Sequence, residues 1–460
     1  MHPKVSVIGL GRLGAPIAAV FAARDFEVYG YDPVPEAVSA VRERRSLYYE
    51  PGLDALYEKA DGRLHATSDL AEAVRKTDAS FLVVPTPTRP DGSFSLEHVL
   101  ATSREVGAVL ADKEGFHLVV LTSTVMPGST DRRVRAALEE ASGKKVGEEI
   151  GLCYSAVFVA MGHVIENFLR PSMALVGESD ERSGRMLEAI YRAVCENSPP
   201  VARMSPFNAE LTKLAMNVLV ATKISIANLL ARVCELMPGG DVDVVTEAMQ
   251  LDPRVGEGAL VGAIAYGGPF FGRDNDAFGT LMRRLEVARE LEGALGRFNR
   301  AQVPWLADFV EQRLVDGGSV GVLGLAYKPD TDVIESSPSV ALCRRLAEHD
   351  VPVTAHDPVA MEAARGMLPP AVEFANTAAL CIAGADLVVV TTPWDAYREL
   401  PAAAWARDGE PRTVVDCWRC LPHLGDQPGI TYVPLGRGPG TPAVPSPPPR
   451  PSTDPTRGLG

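Results

Sequence analysis

The chain has 460 residues, 46% hydrophobic and 23% charged, the balance of a soluble globular protein with room for about three domains at roughly 150 residues each. Its net charge of -14 argues against nucleic-acid and anionic-membrane partners, although local Arg, Lys and backbone N–H groups can still hold a phosphorylated small molecule. No uninterrupted apolar run approaches the ~20 residues of a membrane span, and the N-terminus reads straight into a strand with no signal pattern, so the expected location is the cytoplasm.

Up to about residue 202, short apolar runs alternate with amphipathic stretches. VSVIGL (5–10), VYGYD (28–32), ASFLVVPT (79–86) and HLVVLTST (117–124) end in turn chemistry, the pattern of a parallel, doubly wound sheet. From Ser205 and Pro206, an N-cap and first helical residue, the texture changes. NAELTKLAMNVLVATKISIANLLARVCELM (208–237) has no Gly or Pro and stops at Pro238-Gly239-Gly240. Such a helix spans roughly 45 Å, too long for one small core, and is expected to bridge domains or form a subunit interface. From about residue 303 the α/β pattern returns with SVGVLGLAYK, VPVTAHDP, ADLVVVTTPW and RTVVDCW. The expected fold is thus α/β, two doubly wound Rossmann-like domains joined by a long central helix. The expected divisions are 1–202, 203–302 and 303–435, with 436–460 a Pro-, Gly- and Ser-rich disordered tail. No tandem repeat is visible, although the two α/β halves are alike in kind. Seven scattered cysteines, an odd number, do not form a disulfide framework. Cys417 and Cys420 form a CxxC with no second pair to complete a zinc site, so no metal is expected.

Gly9-Leu10-Gly11-Arg12-Leu13-Gly14 follows the first strand and opens an apolar helix. Gly9 permits the tight turn, Gly11 lets backbone approach a pyrophosphate, and Gly14 permits close helix–strand packing. The helix N-terminus then offers N–H groups to the phosphates. The second strand ends in Asp32, placed to accept from a ribose 2′-OH. A carboxylate there would repel a 2′-phosphate, so the expected cofactor is NAD rather than NADP.

VVPTPTRPDG (83–92) and TSTVMPGST (122–130) follow apolar strands at the edge where parallel sheets bind ligands, and read equally as Pro-rich loop punctuation. Lys213 and Asn217, four apart, share a helix face that could polarise a carbinol oxygen or simply be solvated. GGPFFGRDN (267–275) shows only that backbone comes close to something.

Together these segments resemble the UDP-glucose/GDP-mannose dehydrogenase family from residue 3 to about 425. The matches, in family order, are GLGRLG, YEPGL (49–53), FLVVPTPTRPDGSFSL (81–96), TSTVMPGST, NAELTKLAMNVLVATKISIAN (208–228), DPRVG (252–256), YGGPFFGRDN (266–275), LGLAYKPDTDVIESSP (323–338) and AHDP (355–358). The resemblance implies an N-terminal NAD domain, a central helix making a homodimer and a C-terminal domain holding a nucleotide-sugar substrate. Gly9, Gly11, Gly14 and Asp32 would bind NAD, with Thr86 and Thr124 lining the cofactor and active site. Lys213 and Asn217 would hold the reacting oxygen, with Asp274 supporting proton or water handling. Arg254, Gly267 and Phe270 would face the substrate, and Lys328 would sit where substrate and cofactor meet.

This sequence departs from the family in its catalytic groups. The family loop reads GGxCFP[KR]D, its Cys the nucleophile; here that position is Phe270, and the Pro is Gly272. The family NPEF, with a catalytic Glu, is Ser155-Ala156-Val157-Phe158. A family Lys that helps to hold substrate phosphate is Val261. Neither Cys153, expected inside a strand, nor His163, expected on the surface or packed, is an evident replacement.

Family members oxidise a sugar carbinol to an acid in two NAD-dependent steps. The second needs a thiolate to attack the aldehyde and acid–base help to hydrolyse the thioester. The first needs neither. Three readings stay open: a dehydrogenase stopping at a ketone or aldehyde, an epimerase returning its hydride to the other face, and a non-catalytic scaffold that keeps NAD.

Overall fold

A computed structural model describes residues 2–60, 62–287, 290–407 and 409–441. The chain forms two compact units, one comprising residues up to 216 together with 276–287, the other 217–275 together with residues from 288 on.

The first unit is built on β1 (Val5–Ile8), β2 (Val28–Tyr31), β3 (Leu64–Thr67), β4 (Ala79–Leu82), β5 (His117–Leu121), β6 (Ile150–Tyr154), β7 (Ala174–Glu178) and β8 (Val201–Met204). They lie in the order β3-β2-β1-β4-β5-β6-β7-β8, every neighbouring pair parallel except β6 and β7. Val5 and Val7 point into one core, with the apolar helix Gly14–Ala23, and Ile8 into the other. Burial on both faces is why β1 reads as a nearly continuous apolar run.

The second unit carries β9 (Val320–Leu323), β10 (Val353–His356), β11 (Val372–Phe374), β12 (Leu387–Val390), β13 (Arg412–Asp416) and β14 (Ile430–Pro434). The order is β11-β10-β9-β12-β13-β14, all parallel. Both sheets run outward in both directions from their first strand, the doubly wound arrangement expected.

The strong apolar runs are strands, as read. Of the unread ones, the edge strands β3, β8, β11 and β14 are at least partly exposed, which weakens their apolar signal, whereas β6 and β7 are buried almost throughout.

The long helix is continuous from Pro206 to Leu236, 31 residues, with Asn208 N donating to the Ser205 hydroxyl at its start. It belongs to the first unit up to Met216 and to the second from Asn217. This helix is long and apolar enough to cross a membrane by length and composition, which a search for uninterrupted runs overlooks; 44% of its most apolar window is buried within the protein.

The tail begins later than composition indicates. Gly436 N donates to Glu235 Oε1, Gly436 O accepts from Val242 N, and Arg437 pairs with Asp241 at 3.0 Å. Thr441 donates to Gly240 O. Small residues succeed here because the contacts are made mostly by backbone. Residues 442–460 of the expected tail lie outside the described residues.

Candidate active site

In the first unit, β1 delivers the chain to Gly9 at a φ of 106°. A Cβ there would lie 2.2 Å from Val83 O, and one at Gly14 would lie 1.7 Å from Gly9 O. Both positions require glycine. Gly11 has nothing within 4 Å of where its Cβ would be, so the backbone stays open to a phosphate. Asp32 is buried; its Oδ2 accepts from Leu10 N at 2.8 Å and its Oδ1 from Val34 N at 2.9 Å. Its immediate work is to hold the glycine turn, and each oxygen retains a lone pair for a ribose hydroxyl. The turn, the open approach and the carboxylate fit a dinucleotide.

The two Pro-rich loops are laced together. Ser123 Oγ accepts from Val84 N at 3.1 Å and donates to Val84 O, and Thr86 Oγ1 donates to Thr124 O at 2.8 Å. Motif reading missed the anchor of the second loop. Glu210, fully buried on the long helix, accepts from Gly128 N, from Thr130 N at 2.8 Å and from Thr130 Oγ1 at 2.6 Å. Burial, only partly offset by those donors, pushes its carboxyl up to about 7. One turn along, Lys213 is buried, with Nζ donating to Val157 O at 3.2 Å and lying 4.7 Å from the Phe158 ring centre. The altered NPEF segment therefore meets this lysine with a carbonyl and an aromatic face.

Two further groups lie near that segment in the chain. Cys153 is fully buried in β6, where desolvation pushes its thiol far above the usual range and disfavours the thiolate. His163 pairs with Glu166 at 3.6 Å.

In the second unit, Asn217 Nδ2 donates to Asp274 Oδ2 at 2.6 Å, and the fully buried Asp274 has Arg273 Nε 3.6 Å from its other oxygen. The carboxylate thus fixes the amide's orientation. Gly267 and Gly268 are placed by packing: Cβ atoms would meet Ser336 O at 2.5 Å and the Tyr327 ring at 2.6 Å. They press the loop before Phe270 against the segment that follows β9, and Phe270 is half-buried. The next residue, Phe271, packs edge-on against Tyr266, whose hydroxyl accepts from Asn275 Nδ2. Lys328 also belongs to this unit, buried and donating to Pro329 O at 3.0 Å, not to the unit that carries the dinucleotide turn. Arg254 is exposed and held by Asp252 at 2.6 Å. Val261 is exposed.

Three models of one family match the chain in sequence order. The NAD-binding domain of the UDP-glucose/GDP-mannose dehydrogenase family matches residues 3–195, its central domain 207–301 and its UDP-binding domain 321–423. UDP-glucose 6-dehydrogenase AglM of Haloferax volcanii is 35% identical over 401 residues, 86% of this chain and 93% of that protein. GDP-mannose 6-dehydrogenase of Pseudomonas putida is 34% identical over 348 residues, 75% of this chain and 78% of that protein. The solved structure of a UDP-glucose dehydrogenase from Pyrobaculum islandicum is similar with a TM-score of 0.85 at 34% identity, covering 95% of this chain and 98% of that one.

Proposed function

Since the chain belongs to the UDP-glucose/GDP-mannose dehydrogenase family, whose members are NAD-dependent nucleotide-sugar dehydrogenases, we propose that it performs a single hydride transfer and releases a ketone or aldehyde rather than an acid. Its cofactor is NAD. The observation that carries the proposal is Phe270 in the loop position of the family's nucleophilic cysteine, accompanied by Val157 at the position of its glutamate.

Bound in the glycine turn, NAD supplies a hydride acceptor. Lys213 and Asn217, one turn apart on one helix, hold the carbinol oxygen and stabilise the negative charge it develops. Asp274 keeps the Asn217 amide turned for this work. One carbinol C–H leaves as hydride, one O–H proton goes to solvent, and the carbon becomes a carbonyl. A secondary alcohol makes the absence of a thiol intelligible. Its ketone forms a thiol adduct with no hydrogen left to transfer, so a cysteine would be idle. A sugar with a chain extended beyond the usual hydroxymethyl group meets this condition.

The protein is also proposed to work as a cytoplasmic homodimer through the central helix. Leu219, Ile226, Leu229, Val233 and Leu236 recur at helical spacing and are exposed, an apolar stripe that a monomer would leave in water.

The experiment is incubation with NAD and a panel of nucleotide sugars, following NADH and product mass. One NADH and a product two mass units lighter support the proposal. A product of unchanged mass with no net NADH would instead identify an epimerase, and two NADH with a carboxylate would overturn the single-step reading.

A further inference from the structure

The segment Ser46–Gly52, which contains the start of the YEPGL motif, has no role in the chemistry above. It lies beside the dinucleotide turn, and both its ends are tied down. Ser46 N and Oγ bind Asp54 Oδ1, and Leu47 packs against the core beneath the first sheet. Glu50 is buried, its Oε1 accepting from Ile165 N at 3.1 Å. Between these anchors the ring of the half-buried Tyr48 lies 4.8 Å from the Arg12 guanidinium carbon.

We infer that Arg12 is a direct ligand of the cofactor's pyrophosphate and that Tyr48 is the platform that presents it. Arg12 is the cationic side chain of the Gly9–Gly14 turn and stands next to Gly11, where the backbone is open. The turn itself is held on either side. Asp32 holds Leu10 N, and Gly14 is pressed onto Gly9 O. A guanidinium offers a planar fork of donors that matches phosphate oxygens, and stacks on an aromatic face through the ring's negative quadrupole. Stacking limits the rotamers that a long Arg chain would otherwise lose on binding, so less entropy is spent when the pyrophosphate arrives. In a protein with a net charge of -14, a side-chain cation at this point also offsets the field that repels a dianionic bridge. Ser46–Gly52 thus becomes the second wall of the cofactor site, built to seat Tyr48.

The test uses the full-length protein and calorimetric titration of NAD and ADP-ribose at several salt concentrations. Arg12→Gln should weaken both by the same factor, about ten- to hundredfold. It should flatten the salt dependence, with the melting temperature unchanged. Arg12→Lys, keeping charge without the fork, should fall between. Tyr48→Phe should bind as the parent, and Tyr48→Leu should lose several-fold for both ligands. Parental affinity for ADP-ribose in Arg12→Gln would overturn the inference. So would a loss of affinity with an unchanged salt slope, since that is the mark of a turn merely disturbed.

Discussion

Asp32, which follows β2, and Asp357, which follows β10, make the same pair of hydrogen bonds. Asp32 accepts from Leu10 N at 2.8 Å and Val34 N at 2.9 Å; Asp357 accepts from Leu325 N at 2.7 Å and Val359 N at 2.9 Å. Each faces a glycine at matching φ, 106° at Gly9 and 103° at Gly324, whose N–H donates to the last residue of the neighbouring strand. VSVIGL and VGVLGL, then YDPV and HDPV, are the traces of one design used twice. The second copy has Ala326 and Pro329 where the first has Gly11 and Gly14. The support of the turn is kept while the close backbone approach is not.

NAD should bind far better than NADP, and Asp32→Ser should narrow the gap mainly by weakening NAD. A buried carboxylate repels a 2′-phosphate, and ~1.4 kcal/mol is a factor of ten. Equal affinities of the parent protein in calorimetry would remove Asp32 from this role.

Lys213→Ala should lower kcat about 100-fold or more while leaving the Kd for NAD within a few-fold, as expected when a preorganised cation is lost from the transition state. Single-turnover kinetics beside a binding titration separate the two quantities. Near-parental turnover would reduce Lys213 to a packing residue beneath Phe158.

Phe270→Cys alone should not yield an acid. The thioester would still need the hydrolytic help that Val157 does not provide, and a ketone product could not be oxidised further. Carboxylate in the product mass spectrum of this single variant would show that the other groups suffice.

Glu210 ties stability to pH. Its folded carboxyl lies near 7 against an ordinary 4.5, so the folded state binds the proton more tightly. That contribution, roughly 3 kcal/mol, is complete below pH 4.5 and is lost as pH rises through 7. The melting temperature of the parent relative to Glu210→Gln should therefore fall between pH 5 and pH 8. A constant difference would mean that Glu210 is ionised throughout.

Truncation after Thr441 should leave the melting temperature unchanged, because residues 442–460 have too little apolar bulk to offset ordering. Truncation after Leu435 should cost about 3–5 kcal/mol, since it strands the buried Asp241 without Arg437. Equal melting temperatures for the two would show that the Gly436–Thr441 contacts add nothing.

These cases separate what sequence reveals from what it conceals. Gly9, Gly11, Gly14 and Asp32 were legible because strand, turn and helix follow one another within a single unit, where spacing stands in for geometry. Spacing brings Asn217 beside Lys213, but its pairing with Asp274, 57 positions away, leaves no local signal. Glu210 was overlooked although it anchors a loop 80 positions upstream, because a buried carboxylate inside an apolar helix has no local signature. Composition misjudged Gly436–Thr441 for a related reason: it counts apolar bulk, whereas that segment is held by backbone hydrogen bonds and by the Arg437 ion pair.

The seven cysteines have a consequence for how the protein can be poisoned. Six are buried and the seventh, Cys420, is half-buried; burial raises Cys153, Cys195, Cys343, Cys381, Cys417 and Cys420 above the ordinary thiol range. Electrophiles and peroxide attack thiolates, and such sites hold few of them near neutral pH. A relative that depends on an active-site thiol stops when that sulfur is alkylated or oxidised. Turnover here should persist through iodoacetamide or hydrogen peroxide, which makes thiol blockade a means of silencing cysteine-dependent dehydrogenases in a mixed extract while this activity continues.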